Sequence, residues 1–160
     1  MSLDPNQFRA LVVVPVLNRL GLHSPAAEEL VLGTAAQESG LRFLKQLGGG
    51  PALGLYQCEP ATHADIWRNF LHYKPELRYL VSHFATNGTS GHPNQDELVW
   101  NLAYATAICR VHYLRVNKPL PVADDLEGLA AYWKKNYNTT EGKGTPEEFI
   151  ANYRRLILAA

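Results

Sequence analysis

The sequence predicts a mainly α-helical fold (α+β), a single domain over residues 1–160 with a small β or extended segment near residues 51–58. A capping residue followed by proline, as in Asp4–Pro5 and Thr145–Pro146, is typical of a helix start. In the longest predicted helix, apolar residues recur at helical spacing. With 160 residues, 46% of them hydrophobic and 19% charged, the chain is long enough for one core, and no repeat or linker indicates a second domain.

Start and stop signals predict each helix in turn. In chain order the predicted helices cover residues 5 to about 20, 25–38, 60–71, 75–84, 94 to about 116, 124 or 125 through 133, and 145–156. Loops are expected at 41–51, which ends in three glycines and a proline, at 87–93 and at 139–144. The extended segment is predicted at 52–58, between a loop and a helix.

The two clearest signals of the second half are capping boxes. Thr145 with Glu148 fits the pattern fully, and Asn94 with Glu97 comes close to it. Trp100 lies within the helix predicted to follow Asn94 and is expected to be in the core. Its core-facing stripe is predicted to be Leu98, Leu102, Ala105, Cys109, His112 and Val116.

Charge and hydropathy argue against two classes of partner. Fifteen basic and fifteen acidic residues balance without a basic cluster, so nucleic-acid binding is not expected. No apolar stretch is long enough to cross a membrane. The run 11–17 is short, contains Pro15 and lacks a cationic leader, so no signal peptide is expected.

The cysteines and histidines do not indicate a disulfide framework, a metal or a cofactor. Cys58 and Cys109 are expected to be reduced and at least partly buried. The six histidines show no metal-binding spacing, and neither a serine nucleophile motif nor a phosphate-binding loop is present.

Glu38 is the most informative residue, because it ends a segment of hydrophobic or small residues and is followed closely by Gly40. A carboxyl in the last turn of a buried helix is disfavoured as an anion both by burial and by the negative end of the helix dipole. Its pKa should therefore be raised, as a general acid near neutral pH requires. The alternative is a solvated glutamate at a helix end.

Three short segments at matching order and spacing carry a resemblance to a known family. Glu38-Ser39-Gly40, Gly54-Leu55-Tyr56-Gln57 and Pro60-Ala61-Thr62 resemble the lytic transglycosylases, relatives of goose-type lysozyme. The resemblance covers about residues 31–67, and residues 126–155 more loosely. It implies a lysozyme-like domain.

The resemblance also implies site residues. Tyr56 and Gln57 would line a sugar cleft opposite Glu38, and Ser39 would be a polar neighbour of the acid or of the substrate. Alternatively, Gln57 satisfies a buried backbone group and Tyr56 packs in the core. Tyr137 with Asn138 is favoured over Tyr132 as the equivalent of the family's tyrosine and asparagine, whose tyrosine hydroxyl approaches the acid. Among the tryptophans, Trp67 and Trp133 remain candidates for stacking on a sugar.

The implied reaction is cleavage of the β-1,4 bond between N-acetylmuramic acid and N-acetylglucosamine in peptidoglycan, with one glutamate acting first as acid and then as base. No acidic residue lies between Ser39 and Cys58, which agrees with this chemistry, although Asp96, Asp124 or Asp125 could fold back towards Glu38. A hydrolytic goose-type lysozyme and a non-catalytic glycan-binding module remain alternatives. Peptidoglycan strands are the expected partner. With no export signal expected, the resemblance favours a phage lysin, a virion-associated wall enzyme or a protein carried by a dedicated secretion machinery.

Overall fold

The computed structural model describes residues 2–86, 92–138 and 141–160, which are mainly helical with almost no strand, as the sequence predicts. The predicted loops at 87–93 and 139–144 lie partly outside these residues. In the described part of the chain no helix is both long and apolar enough to cross a membrane.

The helices are, in order, α1 (Pro5–Phe8), α2 (Val14–Arg19), α3 (Pro25–Ser39), α4 (Pro60–Asn69), α5 (Pro75–Ser82), α6 (Glu97–Trp100), α7 (Leu102–Leu114), α8 (Leu126–Trp133) and α9 (Pro146–Tyr153). Shorter helical turns are Arg9–Val13, Leu71–Tyr73, Lys134–Asn138 and Arg154–Leu158.

The helix starts predicted from the capping residues Asp4, Ser24 and Thr145 are confirmed. Asp4 accepts a hydrogen bond from a backbone N–H at the start of α1, and Ser24 does the same at the start of α3. Thr145 and Glu148 form both hydrogen bonds of a capping box at the start of α9.

The first predicted helix is one continuous run containing a wider turn. Between α1 and α2 the residues Arg9–Val13 form a π-helical turn, in which the Val14 N–H bonds the Arg9 carbonyl five residues back. Pro15 follows at once, and its ring cannot fit against the carbonyl four residues earlier in an ordinary helix. The wider turn accommodates the proline without breaking the helix.

Helix α3 lies at the centre of the molecule, packed against α7, α8 and α9. Its residues from Leu30 to Ala36 are all buried, so it is covered on every side, as a helix without a polar face must be. Gly33 allows α9 to approach closely. A Cβ atom there would lie 2.3 Å from the Cζ of Phe149 on α9.

A cluster of charged side chains ties the N-terminal helices to α3 and α9. The Arg9 guanidinium donates to the carboxylates of Glu28, at 2.5 Å, and Glu29, at 2.7 Å. The Tyr153 hydroxyl donates to Glu29 from α9. Three elements distant in sequence therefore meet at one partly buried site.

The long helix predicted over residues 94–116 is wrong in two respects. It begins at Glu97 without the expected cap from Asn94, and it is broken at Asn101 into α6 and α7. Asn101 has an extended backbone (φ −97°, ψ 91°), and its side chain caps α7 by accepting from the Tyr104 N–H. Its Nδ2 also donates to the buried carboxylate of Glu97, which binds Thr86 as well. The break turns Trp100 outwards with 56% of its surface exposed, so the prediction of a core tryptophan is also wrong.

The segment predicted as a strand near 51–58 is a turn with two isolated β-bridges. Leu53 bridges to Lys45 on one side and to Cys58 on the other. Between them Gly54 has a φ of +76° and Gln57 a φ of +47°, so the chain reverses direction there. Glycine at position 54 is required by a close approach as well, since a Cβ atom would lie 2.0 Å from the Leu98 carbonyl oxygen.

Nearly all the buried hydrophobic residues in the described part of the chain form one core cluster. Cys58 and Cys109 both belong to it and are unbonded, as the sequence predicts. The predicted stripe of the long helix is buried at Leu98, Ala105 and Cys109 and partly buried elsewhere.

Candidate active site

A cavity of about 730 Å³ opens beside the C-terminal end of α3, and we call it the Glu38 cavity. Its walls come from the last turn of α3, the loop over residues 43–52, the start of α4, His112 of α7, and residues 137–138 and 141–144. The lining is mostly polar, with amides from Gln46, Gln57 and Asn138. Amide and hydroxyl groups around a concave site are suited to a ligand rich in hydrogen-bonding groups.

Glu38 is the half-buried acid of this cavity and the second-last residue of α3. The helix ends directly after it because Gly40 adopts the left-handed conformation, with a φ of +61°. Burial raises the pKa of the Glu38 carboxyl to about 7, and a hydrogen bond from Trp133 opposes this rise. The raised pKa agrees with the direction expected from the sequence.

Trp133 makes the hydrogen bond to the acid, a role that no local signal in the sequence indicates. Its Nε1–H donates to Oε1 of Glu38 at 2.9 Å. The indole is fully buried at the end of α8. It therefore contacts the acid from inside the protein and offers no exposed surface on which a sugar could stack. Trp67 is likewise buried and donates to the Tyr104 hydroxyl at 2.8 Å. The expectation that either tryptophan stacks on a sugar is therefore wrong.

Gln57 lines the cavity, as predicted, from the turn after Gly54. Its Nε2 donates to the Gly54 carbonyl at 2.9 Å, which fixes the orientation of the amide. A φ of +47° is uncommon for a residue with a side chain, and the rigid turn maintains it. Both readings of Gln57 thus hold in part, because it satisfies a backbone group and also faces the cavity.

Tyr137 and Asn138 also line the cavity, whereas Tyr132 does not. The Tyr137 hydroxyl donates to the Tyr56 carbonyl at 2.6 Å, and its ring stacks on His112 with 4.4 Å between centroids. The expected hydrogen bond from this tyrosine to the acid is therefore wrong, because its one proton is given to a backbone oxygen. Trp133 is the donor to Glu38 in its place.

Ser39 and Tyr56 lie outside the cavity lining, so the prediction that they contact substrate is wrong. Ser39 is buried and its hydroxyl donates to the Ala35 carbonyl one helical turn back, at 3.0 Å. Tyr56 is buried in the core, where its hydroxyl pairs with Thr106 at 2.8 Å. The side chains of both residues make hydrogen bonds inside the protein, so neither faces the cavity.

Two further carboxylates, Glu59 and Glu141, line the same cavity. Both are exposed, unlike Glu38. The three distant aspartates that the sequence offers as companions of Glu38 do not line this cavity: Asp96, Asp124 and Asp125. Glu59 lies between two of the matched segments, directly before Pro60, but nothing in the sequence around Glu141 indicated that it lies near the acid.

The described residues contain no cluster of three or more histidine, cysteine or acidic side chains that could hold a metal ion. Comparisons of the chain with family models, with curated protein sequences and with solved structures find no match.

Proposed function

We propose that this protein has a lysozyme-like fold and is a lytic transglycosylase, which cleaves the β-1,4 bond between N-acetylmuramic acid and N-acetylglucosamine in peptidoglycan. The observation that carries the proposal is a half-buried Glu38 carboxyl, with a pKa raised to about 7, at the wall of a polar cavity. The motifs around Glu38 and Gln57 support it through their resemblance to that family.

In this mechanism Glu38 begins protonated and donates its proton to the glycosidic oxygen, and the bond from that oxygen to the anomeric carbon breaks. The electron pair leaves with the oxygen, and the acetamido group of the substrate stabilises the cationic anomeric carbon. Glu38 is now a carboxylate and takes the proton of the substrate's own 6-hydroxyl. That oxygen bonds to the anomeric carbon, which gives a 1,6-anhydro end and returns Glu38 to its protonated form.

A pKa of about 7 suits both halves of this cycle. An acid with an ordinary carboxyl pKa would be ionised at neutral pH and could not donate, whereas a much higher pKa would make proton donation to the sugar too weak. One group near its own pKa can serve in either direction.

A hydrolytic, goose-type reaction is the second candidate, and Glu59 and Glu141 favour it. A second carboxylate across a cavity can activate water for attack on the anomeric carbon, which a transglycosylase does not need. The products distinguish the two reactions, since only transglycosylation leaves anhydro ends.

The proposed substrate lies outside the bacterial cytoplasm. A phage lysin, a virion-associated wall enzyme or a protein carried by a dedicated secretion machinery would each bring the active site to the wall, and the resemblance favours the phage setting.

The test is digestion of purified wall sacculi, followed as turbidity loss and by mass spectrometry of the products. Glu38→Gln should lower the rate by about 10²–10⁴-fold, since the amide cannot donate a proton to the leaving oxygen. The amide oxygen can still accept from Trp133, so thermal unfolding of this variant should stay close to wild type. An active Glu38→Gln protein, or an inactive wild type that still binds sacculi, would contradict the proposed enzyme.

The second carboxylates are tested in the same assay. In a transglycosylase, Glu59→Gln and Glu141→Gln should retain most of the activity and the anhydro products. Loss of activity in either variant, with products that carry reducing ends, would support the hydrolase instead.

A further inference from the structure

The only hydrogen bond that the described residues make to the Glu38 side chain comes from Trp133. The indole Nε1–H lies 2.9 Å from Oε1. An indole nitrogen can donate a hydrogen bond but cannot accept one. While this bond is kept, Oε1 acts as an acceptor. The carbonyl oxygen of a carboxylic acid accepts a hydrogen bond better than its hydroxyl oxygen does, so the bond favours a proton on Oε2.

The packing around Trp133 holds the indole in this position. Its ring packs against Phe149, with 5.4 Å between centroids, and Phe149 in turn fits against α3 at Gly33. On another side Gly144 approaches so closely that a Cβ atom there would lie 2.7 Å from the Cη2 of Trp133. The indole is fully buried, so it cannot turn without displacing these neighbours.

The same bond also acts on the charge of the acid. A donor to a carboxylate stabilises the anion more than the neutral acid, whereas burial stabilises the neutral acid. Burial is the larger of the two effects on the pKa of Glu38, and the indole bond limits the rise. Because the site is partly shielded from water, a single fixed donor has more effect there than it would at the surface.

We propose that Trp133 is a positioning residue that keeps Oε1 of Glu38 as a hydrogen-bond acceptor, so that Oε2 alone exchanges protons with the bound ligand. The ligand part of this inference rests on the proposed function, while the placement of the proton on the carboxyl does not. In the proposed reaction the same oxygen gives the proton to the glycosidic oxygen and later receives one from the 6-hydroxyl, and the indole stabilises the anion between the two steps.

The first test is titration of Glu38 by NMR of its isotope-labelled side-chain carboxyl carbon, which needs no substrate. Trp133→Phe removes the donor and should raise the pKa of Glu38 by about one unit. In sacculi digestion the basic limb of the pH–rate profile should move upwards by the same amount, and the rate at the optimum should fall because the intermediate anion has lost its donor.

Trp67→Phe is the matched control. Trp67 is also buried and also donates one hydrogen bond, but its acceptor is the Tyr104 hydroxyl and it does not line the Glu38 cavity. This variant should cost comparable stability and leave both the Glu38 titration and the pH–rate profile unchanged.

Benzothienylalanine at position 133 provides a second variant in case phenylalanine loosens the core, because it keeps the two-ring shape and lacks the N–H. It should produce the same rise in pKa with a smaller loss of stability. A Glu38 titration that is unchanged or shifted downwards in these variants, or shifted equally in Trp67→Phe, would overturn the proposal.

The two proposals fail in different ways. If sacculi are not cleaved but the titration moves as expected, the role of Trp133 stands and the proposed activity is wrong. If sacculi are cleaved through Glu38 while the titration does not respond to the loss of the N–H, the activity stands and the role of Trp133 is wrong.

Discussion

Gln57 combines a backbone that suits glycine with a side chain that faces the candidate active site. Its φ of +47° costs a residue with a side chain of the order of 1 kcal/mol relative to glycine, and only Nε2 of its amide bonds the protein, at Gly54. The amide oxygen has no partner among the described residues and lies at the cavity. A strained residue beside an unused acceptor is a pattern associated with ligand binding.

Gln57→Gly should therefore separate function from stability. Glycine relieves the backbone strain while one hydrogen bond to Gly54 is lost, so the free energy of unfolding should stay within about 1 kcal/mol of wild type. Sacculus digestion should fall by about tenfold or more, as expected for one lost substrate hydrogen bond. Chemical denaturation and turbidity assays measure the two effects. Unchanged digestion with a large loss of stability would identify Gln57 as a purely structural residue.

At the scale of single residues, the sequence indicated the site residues whose positions depend on nearby residues in the chain. Glu38 could be placed because the end of a helix is marked by apolar residues before it and by glycine after it, and Gln57 because it belongs to the same compact motif. The bond from Trp133 to Glu38 spans 95 residues, so it depends on how α8 docks against α3. The orientation of the Tyr137 hydroxyl depends on that docking too.

At the scale of elements, the packing of α9 against α3 sets the position of the indole. Phe149 lies in the space that the absent side chain of Gly33 leaves, and its ring also packs against Trp133. The two helices have one of the most extensive packing contacts in the molecule. A change at Gly33 should therefore be felt at the acid, which lies more than one helical turn away on the same helix.

Gly33→Ala should destabilise the protein by about 1–3 kcal/mol, because the new methyl group would lie 2.3 Å from Phe149 in a fully packed core. The higher helix propensity of alanine offsets only about 1 kcal/mol of this. Denaturation of the double variant with Phe149→Leu provides the control. The smaller leucine makes room, so the cost of alanine should be at least about 1 kcal/mol lower in that background. Additive effects would argue against a direct clash.

Helix boundaries were predicted correctly where the capping residues are close in sequence. The prediction was wrong where a residue distant in sequence determines the boundary. The capping box at Thr145 is complete within four residues, and it formed as predicted. The break at Asn101 arises because its side chain caps α7 and also bonds the Phe84 carbonyl and the buried Glu97. No helical periodicity reveals such a partner, so one long helix was the natural prediction. The turn at 54–57 was missed for the same reason. Only glycine fits at position 54 because the Leu98 carbonyl, distant in sequence, lies so close to it.

At the scale of the whole molecule, three groups with large pKa shifts, His63, His112 and Glu38, contribute to how stability responds to acid. Burial lowers the pKa of His63 to about 4, with His92 contributing, and burial also lowers the pKa of His112 to about 4. Between pH 6.5 and 4 these two histidines are protonated in the unfolded chain but remain neutral in the folded protein. The free energy of unfolding therefore falls as the pH falls. Glu38 acts in the opposite direction, because its folded pKa of about 7 lies above the ordinary 4.5 and the folded state binds the extra proton.

The two histidines outweigh the single glutamate, so stability should decrease from pH 6.5 to pH 4. His63 alone contributes at most about 3 kcal/mol to this decrease. His63→Gln should flatten the dependence of the unfolding free energy on pH, measured by urea denaturation at several pH values. An unchanged slope in His63→Gln would show that the buried imidazole is not the group that titrates.

The bond between the indole of Trp133 and Glu38 also gives the protein a built-in optical reporter. The three tryptophans have different surroundings, since Trp100 is mostly exposed, Trp67 bonds a hydroxyl that stays neutral, and Trp133 bonds a group that changes charge near neutral pH. The intrinsic fluorescence of Trp133 should therefore follow the ionisation of the acid. A spectrometer reading across a pH series could then record, without label or substrate, when the proton leaves.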